Sequence, residues 1–221
     1  MLILALDTAF AATQMAIYES ETDTCLAEES LGMATGHAET LMLMVERGLA
    51  EAGLAYSALE RIAVTIGPGS FTGVRIALSA ARALALALEI PVIGITTLAA
   101  FARSHSKPDQ RILVALDARR GEIYAQLFSN HGNELSVPVL TTAAELVAKW
   151  HDGACPVIGS AATLVCTLSP HFIQGDTAPI PAIAAIARLG ATAPLPQAPP
   201  TPLYLRAPDA KPQSSPLTRR S

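Results

Sequence analysis

The chain has 221 residues, 51% of them hydrophobic but only 5% aromatic, with a formal net charge of −4. That length admits one large domain or two small ones, each able to bury a core. The acidic balance argues against a protein that grips nucleic acid by itself. No uninterrupted apolar run reaches about 18 residues and no basic stretch precedes an apolar one at the N-terminus, so a cytoplasmic protein without a membrane segment is predicted. Cys25, Cys155 and Cys166 are odd in number and lack metal-ligand spacing; they read as reduced thiols.

In chain order, the apolar run from Leu2 to Leu6 closes on Asp7-Thr8, and strand-like stretches follow at 13–18 and 25–31, which together predict an antiparallel meander. A helix with a broad apolar face is predicted from His37 to Leu54, then a strand over 62–66, a helix over 72–88, a strand over 91–96 and a further helix from Thr97. The second half echoes the first. Ile112-Leu-Val-Ala-Leu-Asp117 matches Leu2-Ile-Leu-Ala-Leu-Asp7, residues 121–128 supply the hairpin partner, and 156–163 is a worn counterpart of 64–72. Matches in the same order predict a duplicated α/β unit of the form β-β-β-α-β-α. The second copy is read as abbreviated, with Pro179, Pro181 and Pro194 breaking its helices. The expected division is residues 1–100, 101–200 and a C-terminal segment 201–221, with a disordered tail from Lys211.

The most informative run is Gly67-Pro-Gly-Ser-Phe-Thr-Gly-Val-Arg75. It reads as strand, tight turn, helix, with Ser70 and Thr72 able to cap the N–H groups of the helix start. Such a turn is either an anion cradle or a means of pressing a helix against its sheet. It lacks the Lys of a Walker loop and the spacing of a dinucleotide fingerprint.

Strand, acid, turn and strand at the head of two duplicated halves resemble the actin, sugar-kinase and Hsp70 superfamily. Within it, L-A-L-D-T (4–8), G-H-A-E-T-L (36–41), G-P-G-S-F-T-G-V-R (67–75), D-A-R-R-G-E-I-Y (117–124) and P-L-Y-L-R (202–206) resemble the TsaB, or YeaZ-like, family of bacterial tRNA threonylcarbamoyladenosine (t6A) biosynthesis. The resemblance implies a duplicated actin-like (RNase H-like) α/β fold and a chain with no catalysis of its own. It implies a heterodimer with the catalytic paralogue TsaD, an assembly joined by the ATPase TsaE, tRNA met only through the complex, and a two-fold homodimer when alone.

The site residues agree with a scaffold. A phosphate loop needs small, flexible residues after the strand-end acid, but Asp7-Thr8 is followed by Ala9-Phe10-Ala11-Ala12. Asp7 reads as a ligand of metal-bound water or as an acid satisfying turn N–H groups. A catalytic H-x-x-x-H pair would place two imidazoles on one helix face, whereas the positions here hold His37 and Leu41, and no metal is expected. Ser70 has no evident His-plus-acid relay. The alternative from another class is an ATP-dependent phosphotransferase, which the glycine-free first loop disfavours. Arg119-Arg120 reads as a phosphate contact or a solvated turn. The helices 37–54 and 72–88 are apolar enough to be core or interface, and the resemblance points to interface, with Met42, Val45, Leu49, Leu78 and Arg82 at the partner surface. No tightly bound cofactor is expected. ATP or ADP is placed at the partner interface, with Asp7, Thr8, Gly69, Ser70 and Thr72 as candidate contacts.

Overall fold

The structure is a computed structural model that describes residues 1–105, 110–150 and 153–206. The expected tail from Lys211 lies outside the described residues, as does His151.

Strands β1 (Leu2–Asp7), β2 (Ala12–Glu19) and β3 (Thr24–Gly32) form the predicted meander; β4 (Arg61–Gly67) and β5 (Val92–Thr96) then add in parallel, giving the order β3-β2-β1-β4-β5. Helix α1 (His37–Glu51) lies between β3 and β4, and α2 (Phe71–Leu88) between β4 and β5. Helix α1 stops short of the expected Leu54 because the Leu54 N–H turns back to the Leu49 carbonyl at 2.9 Å and closes the helix end. The second half repeats the plan with β6 (Ile112–Asp117), β7 (Glu122–Phe128), β8 (Val139–Thr142), β9 (Cys155–Ile158) and β10 (Phe172–Gln174), in the equivalent order β8-β7-β6-β9-β10. Its helices α4 (Ala143–Lys149) and α5 (Ala162–Leu168) have 7 residues each, against 15 and 18 for α1 and α2. Pro179 and Pro181 precede α6 (Ile183–Thr192) and Pro194 follows it, so the prolines bracket that helix rather than interrupt it.

Strand periodicity divides the core. Leu4 and Leu6 of β1 point with Met15, Ile17, Ile62 and Val64 toward α1 and α2, whereas Ile3 and Ala5 point the other way, with Ala16, Ala63 and Ile93. The residues covering that second face come from α6, through Ile183, Ile186 and Ala187. Conversely α3 (Thr97–His105), the last helix of the first half, lays Leu98, Phe101 and Ala102 on Val114, Leu116 and Phe128 of the second sheet. Helix α6 thus covers the first half's sheet, while α3 is shared, its Ala100 on the first sheet's core and its Leu98, Phe101 and Ala102 on the second's. Arg61 holds α6 in place by donating from Nη1 to the carbonyls of Gly190 (2.7 Å), Ala191 (3.2 Å) and Ala193 (2.9 Å) at the α6 C-terminus, where a cation complements the helix dipole.

By length and composition α2 is apolar enough to cross a membrane. In this fold one stripe of it, Gly73, Val74, Ala77, Leu78, Ala81 and Ala85, is buried, a third of the helix.

Candidate functional site

The β4–α2 turn and the β1–β2 turn are pressed together. Gly67 adopts φ +100°, Ser70 N–H donates to the Ala9 carbonyl at 2.7 Å, and the Ser70 hydroxyl caps α2 by accepting the Gly73 N–H at 3.2 Å. Thr8, fully buried, donates its hydroxyl to the Gly73 carbonyl at 2.6 Å and accepts the Ala77 N–H at 3.2 Å. Contact is so close that a Cβ on Gly73 would stand 1.9 Å from the Thr8 carbonyl oxygen, and one on Gly69 would stand 2.5 Å from that of Ala9. The glycine run thus packs the start of α2 against the β1–β2 turn.

Asp7 is equally engaged. Its Oδ1 accepts the Ala9 N–H (2.9 Å) and the Thr65 hydroxyl (2.5 Å), and its Oδ2 accepts Nε2 of Gln14 (3.1 Å). Burial pushes the Asp7 carboxyl above its ordinary value of 3.8, against the pull of those hydrogen bonds. Between the ordinary and the raised value the native state keeps a proton that the unfolded state has released, so stability falls as pH rises through that window. Urea unfolding of the wild type and Asp7→Asn is therefore expected to diverge in the variant's favour from about pH 4 upward, by at most about 1.4 kcal/mol per pH unit; a difference that stays constant with pH would contradict this.

Phe10, next in the turn, packs against the apolar cluster that holds Leu98, Phe101 and Leu116. The Asp7 oxygens and the Thr8 hydroxyl, expected as nucleotide contacts, make these hydrogen bonds within the chain, and Gly69 packs closely on Ala9. Ser70 and Thr72 are exposed. Phe10→Ala is expected to lose about 3 kcal/mol of stability, seen as a lower urea midpoint, without gaining affinity for ATP in a direct binding titration; tight ATP binding by the variant would show that the ring alone closes a working site.

His37 opens α1, and its Nδ1 lies 2.7 Å from the hydroxyl of buried Thr13. Among the described residues no group of three or more His, Cys, Asp or Glu could hold a metal ion.

An apolar groove of about 490 Å³ runs between α1 and α2, lined by Ala38 and Leu41 on one side and Phe71, Thr72, Arg75, Ile76, Ser79 and Ala80 on the other. Of the residues expected at a partner surface, three lie in the interior of these same helices. Val45 is 0% exposed and Leu49 and Leu78 are 3% exposed, all within the core that α1 and α2 share with the sheet. Met42 is half-buried, and Arg82 is exposed but donates to the Pro200 carbonyl at 2.5 Å. In so uniformly apolar a helix, hydropathy gives no phase; the small residues Gly73, Ala77, Ala81 and Ala85, four apart, mark the sheet-facing stripe and were the missed signal.

A second missed feature is the strap formed by residues 194–206. Leu203 N–H donates to the Ile66 carbonyl at 2.7 Å, Tyr204 stacks on Phe71 with ring centroids 4.9 Å apart, and Leu205 joins the second-half core. Arg206 then donates to the Ala118 carbonyl at 3.0 Å and pairs with Glu122. The two sequence landmarks at 117–124 and 202–206 therefore dock on one another. At that turn Arg119 and Arg120 are exposed, both at positive φ.

Two five-stranded mixed sheets of equivalent strand order, each with helices packed on it, define a duplicated α/β chain. The family model described as TsaD, tRNA N6-adenosine threonylcarbamoyltransferase, matches residues 31–157. An uncharacterized protein of Mycobacterium tuberculosis (strain H37Rv) is 33% identical over 210 residues, 95% of this chain and 94% of that one. The tRNA threonylcarbamoyladenosine biosynthesis protein TsaB of Escherichia coli is 37% identical over 131 residues, 56% of this chain and 53% of that protein; its Bacillus subtilis counterpart is 33% identical over 150 residues, covering 68% and 64%. Among solved structures, YeaZ from Pseudomonas aeruginosa superposes with a TM-score of 0.72 at 28% identity, over 86% of this chain and 90% of that one. A second Pseudomonas aeruginosa structure, described as similar to peptidase YeaZ, reaches 0.79 at 29% identity over 93% and 99%. The chain belongs to this family, as a TsaB/YeaZ-like member.

Proposed function

We propose that this chain serves bacterial t6A biosynthesis as the non-catalytic scaffold and activating subunit of the tRNA threonylcarbamoyltransferase assembly, in the cytoplasm. It binds the catalytic paralogue TsaD through the α1/α2 groove, TsaE joins the same assembly, and tRNA is met through the complex. One observation carries this reading: in the turn that would hold a phosphate, Asp7 and Thr8 are engaged by the chain's own hydrogen bonds, while the apolar groove beside it stands open. An exposed apolar groove of that kind marks an interaction site. The names borne by the Escherichia coli and Bacillus subtilis relatives supply the pathway. Alone, the same groove pairs two copies about a two-fold axis. Any ATP or ADP at the interface meets this chain only at exposed Ser70 and Thr72, with no tightly bound cofactor. The engagement of Asp7 and Thr8 within the chain weighs against the phosphotransferase alternative. The test is threonylcarbamoyl transfer to tRNA by the TsaD of the same organism, with and without this chain. Transfer that needs the chain, alongside no ATP turnover by the chain alone, supports the reading; full activity of TsaD without it contradicts the reading.

A further inference from the structure

Arg75 and Arg82, the two charged residues of α2, stand seven apart and share a helix face, along which the strap runs. Arg82 spends itself on the strap backbone at Pro200. Arg75 does not. Its Nε–H donates to the Tyr204 hydroxyl at 2.8 Å, and its guanidinium carbon lies over the Phe71 ring, 3.6 Å from the centroid. Tyr204 itself is fixed between two anchors, Leu203 on Ile66 and Arg206 on Ala118 and Glu122. One edge of the guanidinium is thus used, its plane is set, and the Nη edge is left over. Arg75 is exposed, lines the groove, and has no carboxylate within ion-pair distance among the described residues.

We propose that Arg75 seats a carboxylate carried by the partner's helix and that Tyr204 is the positioning residue that aims it. This rests on the reading of the groove as the partner site. The other groove walls, Leu41, Ile76 and Ala80 among them, are apolar or small and take an apolar helix face. Once covered, a lone cation there is desolvated and must be met by an acid. The planar guanidinium matches a carboxylate through two parallel N–H bonds, and a side chain already held in place loses little freedom on binding. The occupant is therefore a helix of the paralogous subunit with an apolar face and one Asp or Glu. A second copy fits less well: the groove lining contains no acid, so an isologous pair brings like surface against Arg75.

Calorimetric titration of the full chain with the TsaD of the same organism, at about 50 and about 500 mM salt, tests this with the wild type, Arg75→Gln and Tyr204→Phe. Arg75→Gln is expected to weaken binding about tenfold or more at low salt and to flatten its salt dependence. Tyr204→Phe keeps the ring, loses the hydroxyl, and shifts both quantities the same way by less. Both variants stay folded with at most a small fall in thermal midpoint, whereas a merely structural role would lower the midpoint and leave the salt dependence of binding unchanged. Wild-type affinity and salt dependence in Arg75→Gln would overturn the proposal. A change confined to the chain's own monomer–dimer equilibrium would overturn it too, by assigning the carboxylate to a second copy. Failure of the wild type to bind TsaD at either salt would instead bring down the underlying partner reading.

Discussion

Gly73→Ala is expected to destabilise the chain by about 4 kcal/mol or more, beyond the usual range for a point substitution. The reason is not helix propensity, which favours Ala over Gly by roughly 1 kcal/mol. It is that the added Cβ would stand 1.9 Å from the Thr8 carbonyl oxygen, which is backbone and cannot swing aside. Relief requires α2 to lift from the β1–β2 turn, breaking the Thr8 bonds to the Gly73 carbonyl and the Ala77 N–H and leaving buried polar groups unmet. For a chain of this size the loss corresponds to a fall of roughly 8–16 °C in melting temperature. A calorimetric scan in which Gly73→Ala melts within about 2 °C of the wild type would show that the two turns are not locked together as described.

The second large effect falls on binding and spares stability. Ser79 is exposed on α2 and lines the groove, and Arg is a good helix former. Ser79→Arg is therefore expected to leave the unfolding free energy within about 0.5 kcal/mol of the wild type, while filling the groove with a bulky cation. Partner affinity should fall about a hundredfold or more, the scale of a change at the centre of an interface. Leu78→Glu, one residue away, is the contrasting case: it buries a charge in the α1/α2 core and should prevent folding. A folded Ser79→Arg protein with undiminished affinity for TsaD would move the docking surface off this groove.

Much of the fold was legible because strand ends and turns carry local signals. The two copies of an apolar run closed by Asp, at Leu2–Asp7 and Ile112–Asp117, disclosed the duplication, and both became the central strand of their sheets. The glycine run disclosed strand, turn and helix because its residue types are dictated by backbone contact. The placement of α3 and α6 on the sheets was not legible, since either helix has an apolar face that would suit either sheet. The strap was missed for a similar reason. Its hold on the body comes from single backbone bonds and from Tyr204 and Arg206, which show no periodicity. Exposure on α2 was not legible either: Leu78 is buried and its sequence neighbour Ser79 is exposed.

Light scattering coupled to size-exclusion chromatography, on this chain alone and then mixed with the TsaD of the same organism, bears most directly on the central claim. The account predicts a dimer that converts to a 1:1 heterodimer on mixing, and no conversion for Ser79→Arg. A wild-type chain that elutes unchanged in the presence of TsaD, with or without ATP, would contradict it.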